Sequence, residues 1–534
     1  MWRSLSEGLR RFEQAATRPG APWLAGGVAL GVYLVIALGV LGTSAVWSPD
    51  TGAKLWQMQS LRFEDGALRW DLRYRGRELD PELRFADEPY AHAVILTVVG
   101  DELHLRRLPV FPALLWPFDQ LFGNSGRVLL PALAGAALGV MALLLVPTAD
   151  RRPWMWGLVA FASPVTIYSV LVWEHNLASA VALAGVVWAL HCPRASTRAW
   201  LGVGALLGGA LYLRVETALV TGPFLVALAA LDAERRRGAV VAFAGLLAGA
   251  VLYPITQNAM FGDPVPQNMT HIVLPFSYLS DAGLNAVRAF LVGPFTHGSI
   301  NTGAWGMLWA WAALAAFILA AFSLRSGWLL LLALTAALAV MFLLTDVPYQ
   351  AAHGLLFTTP WVAVALCRIP DLLRASPRAR LLAAAALLAT LAYAVAILVL
   401  RGATPDGGRE WGSRFAMTLF PLLAVVAAWP SVRPRETHRG TELAAALASV
   451  VPALLFVLGI GFQIRGLITI ERVLDDGARF HRQLAALEDE AIVTDVWWLA
   501  LDAVPAELEL PIYTVEGLEE PGVWLAAARR HGVG

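Results

Sequence analysis

The chain has 534 residues, of which 58% are hydrophobic and 15% charged, and its 40 basic and 40 acidic side chains cancel. Soluble domains average about 45–50% apolar and about 25% charged residues, so this composition excludes a disordered chain, a secreted disulfide scaffold and an ordinary cytosolic enzyme. The zero net charge argues against nucleic-acid binding. The cysteines Cys192 and Cys367 are too few for a disulfide framework or a zinc ribbon, and both are expected on membrane-facing surfaces.

Apolar stretches of about 20 residues or somewhat fewer recur between charged or Pro/Gly-marked breaks, and about thirteen of them read as transmembrane helices. The first runs from Leu24 to Val46 and the second from Gly126 to Val146. The others lie near 154–170, 177–191, 199–213, 217–231, 239–256, 304–323, 328–345, 354–368, 381–400, 415–430 and 443–463. Small residues Thr43, Ser44 and Ala45 end the first span, but its long apolar core reads as an anchor rather than a cleaved signal.

Arginines sort by side. Arg10, Arg11 and Arg18 precede the first span, Arg151 and Arg152 follow the second, and Arg194 and Arg198 follow the fourth. Arg235, Arg236 and Arg237 follow the sixth, Arg374, Arg378 and Arg380 the tenth, and Arg433, Arg435 and Arg439 the twelfth. Positive charge stays on the cytoplasmic side, so the even spans end there, the N-terminus is cytoplasmic and the C-terminus extracytoplasmic. The long loops, 47–125 and 257–303, and the tail 464–534 then lie outside, appended to a transmembrane domain of residues 1–463. The tail carries a strand-like run from Ala491 to Trp498 and reads as a small α/β appendage. The fold class expected is an all-α polytopic membrane protein working on its outer face. The inner loops hold no GxGxxG, Walker or DxD motif that a cytosolic nucleotide-sugar enzyme would need.

Along the first outer loop, Asp50 and Lys54, the only lysine, stand at i and i+4. On a helix they would share a face, and each would reduce the cost of partly burying the other. Asp50 is either a general base held beside a cation or the N-cap of a short helix. Residues Leu68 to Tyr74 alternate like a hairpin, and Leu108 to Phe122 reads as a helix in the interface plane. Trp173, Glu174, His175 and Asn176 mark the outer turn after the third span. They could bind sugar hydroxyls, or anchor the turn with Trp173 in the aromatic belt. Two adjacent ligands without a third do not make a metal site, so no metal or other cofactor is expected.

Arg214 and Glu216 occupy the next outer turn, and charges at membrane depth cost about 2.5–3.5 kcal/mol or more each, so both should face a cavity or a partner. In a helix their i, i+2 spacing would point them apart, each towards its own partner. Further on come Asn258, Gly262-Asp263-Pro264, an Asn268-Met269-Thr270 acceptor match, and His271. Arg401, Arg409 and Arg414 break the positive-inside pattern, and an outer arginine cluster suits either a lipid phosphate or ordinary anionic headgroups.

Five features in this order resemble the GT-C membrane glycosyltransferases, in particular bacterial relatives of the protein mannosyltransferase and lipid A aminoarabinose transferase group. They are Asp50, the interfacial helix Leu108 to Phe122, Ser163-Pro164 with Trp173-Glu174-His175, Leu213-Arg214-Val215-Glu216, and Asn258 to Pro264 with Trp411-Gly412-Ser413-Arg414-Phe415. The resemblance implies transfer of a sugar from a polyprenyl-phosphate donor to an acceptor at the outer membrane face. Asp50 would be the inverting base, and Lys54, Arg214 and Arg414 would stabilise the leaving phosphate. Glu174, His175, Glu216, Asn258, Asp263 and His271 would shape the sugar or acceptor site. The chain departs from the family in lacking a clear second acid beside Asp50. The alternatives are a transporter or flippase of lipid-linked saccharides, or a polymer ligase using the same carrier.

Overall fold

The computed structural model describes residues 21–43, 46–64, 67–69, 96–99, 102–105, 107–145, 151–192, 196–262, 354–400, 413–429, 441–486, 492–494, 499 and 512–514. The spans expected at 304–323 and 328–345 lie outside these, as do Asp263, His271, Arg401, Arg409 and Trp411.

The protein is mostly helical. In chain order the helices are α1 (Ala21–Leu34, continued by a π-type stretch, Val35–Leu41), α2 (Pro49–Gln59), α3 (Val110–Phe122), α4 (Leu129–Leu145), α5 (Arg152–Ala160), α6 (Val165–Val170), α7 (His175–His191) and α8 (Thr197–Leu213). There follow α9 (Ala218–Leu231), α10 (Arg236–Phe261), α11 (Leu355–Thr358), α12 (Val362–Leu372), α13 (Pro377–Leu400), α14 (Leu419–Ala428) and α15 (Thr441–Ala485). Each sequence-predicted span within the described residues coincides with one or more of these helices. Five helical segments among the described residues are long and apolar enough to cross a membrane: Ala21–Leu41, Val110–Leu145, Arg236–Phe261, Pro377–Ala396 and Val450–Ala485. Together they make this a multi-pass membrane protein.

Exposed side chains support that reading. On α15, Val450, Leu454, Val457, Ile464 and Ile468 lie exposed, and Trp23, Leu24, Val28, Val32 and Val35 do the same on α1. Stripes of this length would be unstable in water and fit a hydrocarbon solvent. The opposite case is α14, whose residues from Leu419 to Val426 are all buried and which packs against α5, α12 and α13. Cys192 and Cys367 are also buried within the protein rather than facing lipid, because α7 and α12 turn those positions towards neighbouring helices.

Two expected spans are broken. The segment near 154–170 divides into α5 and α6 at Ser163-Pro164, where the Ser163 hydroxyl donates to Val159 O (2.7 Å) and accepts from Val165 N (3.2 Å). Proline supplies no N–H, so the chain cannot continue the ladder there. A second break, Thr359-Pro360, separates α11 from α12, and Trp361 Nε1 donates to Ala162 O (2.6 Å). The Ser163 hydroxyl and the Trp361 indole thus satisfy backbone groups of the first break, and Gln463 Nε2 donates to Thr358 O (2.9 Å) at the second.

Close approach explains two glycine pairs. On α8, Gly204 and Gly208 face Gly245 and Gly249 of α10, and a Cβ added at Gly208 would come within 2.8 Å of Gly245 O. Small residues at four-residue spacing let the two backbones meet.

Two compact units divide the chain. The first comprises Met1–Ile36, Pro131–Ala250 and Leu274–Thr469, and the second Ala37–Leu130, Val251–Val273 and Ile470–Gly534. In the second unit β1 (Arg62–Glu64) pairs with β2 (Ala67–Arg69), and Leu96–Val99 pairs with Glu102–Leu105 as β3 and β4; of the hairpin expected over Leu68 to Tyr74, only Leu68 and Arg69 lie within the described residues. The interfacial stretch becomes α3, closed by Gly123 at φ 60° and fixed through Arg127 Nε to Asp119 (2.6 Å). Near the C-terminus, β5 (Ile492–Thr494) pairs in parallel with β6 (Ile512–Thr514). The helix predicted to end near 463 instead runs to Ala485, so the non-helical tail begins later than expected.

Candidate active site

The first unit gathers most of the singled-out charges at non-helical turns. α8 stops at Leu213 because Arg214 adopts an extended backbone (φ −155°, ψ 116°), and a single 3-10 turn, Val215–Thr217, leads into α9. The Thr217 hydroxyl donates to Arg214 O (2.8 Å) and secures the turn. That geometry overturns the expected divergence of Arg214 and Glu216. Arg214 Nε lies 2.6 Å from Glu216 Oε1, and its Nη1 lies 3.0 Å from Glu174 Oε1. Burial opposes the guanidinium charge, but Glu216 and then Glu174 outweigh it, and the Arg214 pKa is raised above the ordinary arginine value.

Glu174 stands at the start of α7, and α7 is fixed there by its neighbours. Asn176 Nδ2 donates to Ser169 Oγ (2.9 Å) and Val165 O (3.0 Å). The next residue back from Asn176, His175, is buried, with Nε2 4.0 Å from Glu216 Oε1. Its ring stacks on Trp173 at 5.0 Å and lies 5.4 Å from Tyr168. Trp173 is fully buried rather than seated in an interfacial belt.

Arg414 enters from the far end of the sequence on a short 3-10 turn, Arg414–Ala416. It is 5% exposed. Its guanidinium carbon sits 4.6 Å from the Trp173 ring centre and 4.8 Å from that of Phe415, while the Arg214 guanidinium carbon lies 5.4 Å from the Phe415 ring centre. Aromatic faces stabilise a cation most when it is desolvated. A buried hydrogen bond between Ser179 and Thr418 (2.9 Å) ties this turn to α7. The result is one cluster in which Trp173, Glu174, His175, Arg214, Glu216, Arg414 and Phe415 meet. Arg214 pairs with two carboxylates, and Arg414 lies against ring faces with a planar fork suited to phosphate or carboxylate.

In the second unit, Asp50 lies in the first turn of α2 rather than at its N-cap, which is Ser48. Arg107 Nη2 approaches Asp50 Oδ1 at 3.4 Å, the two side chains being 29% and 21% exposed. Sequence reasoning missed Arg107. Its partner is 57 positions away, and no local spacing connects them. Gln57 Nε2 donates to Arg107 O (3.1 Å), which pins the arginine's backbone to α2. Lys54 is buried on α2. Asn258 is exposed on α10, next to the buried Gln257. Among the described residues no group of three or more His, Cys, Asp and Glu side chains could hold a metal ion.

No family model and no curated protein sequence matches the chain. Solved structures similar to it include the following three. One is ArnT from Cupriavidus metallidurans bound to undecaprenyl phosphate, at 14% identity and a TM-score of 0.47, covering 96% of this chain and 89% of that one. The apo state of the same ArnT follows at 13% identity, with the same TM-score and coverage. The third is the apo oligosaccharyltransferase of Archaeoglobus fulgidus, at 12% identity and a TM-score of 0.46, covering 97% of this chain and 69% of that one.

Proposed function

We propose that the chain transfers a sugar from a polyprenyl-phosphate donor to an acceptor at the outer face of the cytoplasmic membrane, with inversion at the anomeric carbon. The observation that carries this reading is the buried cluster around Arg214 and Arg414. It concentrates four charged side chains at the turns of an otherwise apolar helical protein, at a cost that only function or pairing offsets. In this reading Asp50 takes the proton of the acceptor hydroxyl, whose oxygen attacks the anomeric carbon as the bond to the lipid phosphate breaks. Arg414 and Lys54 stabilise the charge that builds on the departing phosphate. Arg214 turns from phosphate ligand into positioning residue, since two carboxylates already occupy its fork. Glu174, His175, Glu216, Asn258, Asp263 and His271 are the residues proposed to bind the sugar or the acceptor. Arg107 orients the Asp50 carboxylate.

The test is transfer by the purified protein in nanodiscs with an undecaprenyl-phosphate sugar, the sugar being chosen by comparing cell-envelope glycans with and without the gene. Asp50→Asn should abolish transfer with unfolding unchanged, and Arg414→Ala should weaken donor binding. Full activity of the Asp50 variant would remove the base, and unchanged affinity of the Arg414 variant would move the phosphate site elsewhere.

A further inference from the structure

The start of α7 is held by a polar triangle that the chemistry assigned above does not use. Asn176, the second residue of α7, is fully buried. Its Nδ2 donates to Ser169 Oγ (2.9 Å) and to Val165 O (3.0 Å), and Ser169 Oγ in turn donates to the same carbonyl (2.6 Å). A carbonyl only accepts, so Val165 O fixes the amide with its nitrogen towards α6. Asn176 Oδ1 is then left buried without a hydrogen-bond partner among the described residues. Asparagine is favoured at an N-cap and poor within a helix, yet here it sits inside the helix with half its amide unsatisfied. A buried acceptor without a donor is a net cost, so fold stability alone does not account for this residue.

Space for the triangle comes from α4. A Cβ added at Gly135 would overlap the Ser169 hydroxyl and come 3.1 Å from Asn176 Nδ2. The triangle fixes the register of α6 against α7, because Tyr168 and Ser169 are consecutive on one helix and His175 and Asn176 on the other. The Tyr168 ring lies 5.4 Å from that of His175 while Ser169 holds Asn176. Glu174 O accepts from Ala178 N (2.9 Å), so Glu174 belongs to the same turn, and its Oε1 is the atom 3.0 Å from Arg214 Nη1. Releasing Asn176 would therefore shift His175 and Glu174 together. Further along α7, the bond of Ser179 to Thr418 would still hold the Arg414 turn.

We propose that Asn176, in the space that Gly135 leaves and with Ser169 as its partner, is a positioning residue for sugar transfer. It sets Glu174 and His175 against the sugar or the acceptor while lying out of reach of both. The assignment rests on the sugar-transfer reading above.

The test is steady-state kinetics in nanodiscs with the undecaprenyl-phosphate sugar that the wild type uses, beside titration with undecaprenyl phosphate and thermal unfolding. In Asn176→Ala, kcat should fall on the order of tenfold or more, since a misplacement of about 1 Å can cost about 100-fold. KM for the donor and the affinity for undecaprenyl phosphate should stay within about twofold of wild type, because Arg414 is undisturbed. Gly135→Ala should act in the same way, and its combination with Asn176→Ala should be no slower than the slower single variant, because both break one contact. Ser169→Ala keeps Val165 O as an acceptor and should lower kcat by a smaller factor; it carries the test if Asn176→Ala does not fold. A purely structural tie would lower the thermal midpoint and leave kcat of the folded protein unchanged, and that result would overturn the proposal. So would kcat losses that multiply in the double variant, or a loss of undecaprenyl phosphate affinity as large as the loss in kcat. A wild-type protein that transfers no sugar would remove the reading beneath the proposal and the proposal with it, whereas an active wild type with unaffected variants removes the proposal alone.

Discussion

Replacing Arg214 by methionine keeps much of the side-chain volume and removes the charge. Glu174 and Glu216 then remain in the same partly closed turn, having lost contacts of 3.0 and 2.6 Å to a common guanidinium. Removing one member of a buried ion pair typically costs about 3–5 kcal/mol because the charge left behind is uncompensated, and here two are left behind. The loss should therefore reach at least the upper part of that range at pH 8, read as denaturant unfolding in micelles by tryptophan fluorescence. It should shrink as the pH falls, since a buried carboxylate without its cation takes up a proton and sheds its charge. Arg214→Met combined with Glu216→Gln should recover a substantial part of the deficit. A single variant within about 0.5 kcal/mol of wild type would refute the reasoning. So would a double variant less stable than the single one, since it would show that Glu216 does not depend on Arg214.

Other consequences are simpler to check. Arg414→Lys keeps the charge but loses the flat face that Trp173 and Phe415 cover, so donor binding should weaken nearly as much as in Arg414→Ala, measured by titration with undecaprenyl phosphate. Arg107→Ala should lower kcat for transfer more than it raises KM for the donor, because the substitution loosens the base rather than removing a donor contact. Gly208→Val should separate α8 from α10 and lower the thermal midpoint, while Gly209→Val, where an added Cβ meets nothing within 4 Å, should not.

The apolar runs and their arginine-marked ends made most of the helices legible, because hydrophobic length and charge are properties of local sequence. Breaks inside runs were harder to read. Ser163-Pro164 and Thr359-Pro360 lie in segments apolar enough to pass as single spans, and their cost is met by distant groups such as the Trp361 indole. The individual members of the first-unit cluster were recognisable as charges in the wrong place. Their partners were not, since the expected divergence of Arg214 and Glu216 assumed a helix where the backbone is extended. Trp173 looked interfacial because it sits at a turn, yet it is fully buried, with Arg414 and His175 against its ring. Arg107 could be found only once α2 and the segment before α3 were placed side by side.

The hydrogen bond between Ser179 and Thr418 joins residues 239 positions apart. At synthesis rates of about 5–20 residues per second, the α7 half of the cluster waits on the order of ten to fifty seconds before the Arg414 turn exists. For most of that interval Glu174, Arg214 and Glu216 are already in the chain and can pair with one another, so the early helices need not carry unpaired charges into the bilayer. Competence therefore arrives late and all at once. A chain interrupted between Thr217 and Ser413 would insert its first helices with the Arg214 ion pairs complete and still lack the group proposed to receive the lipid phosphate.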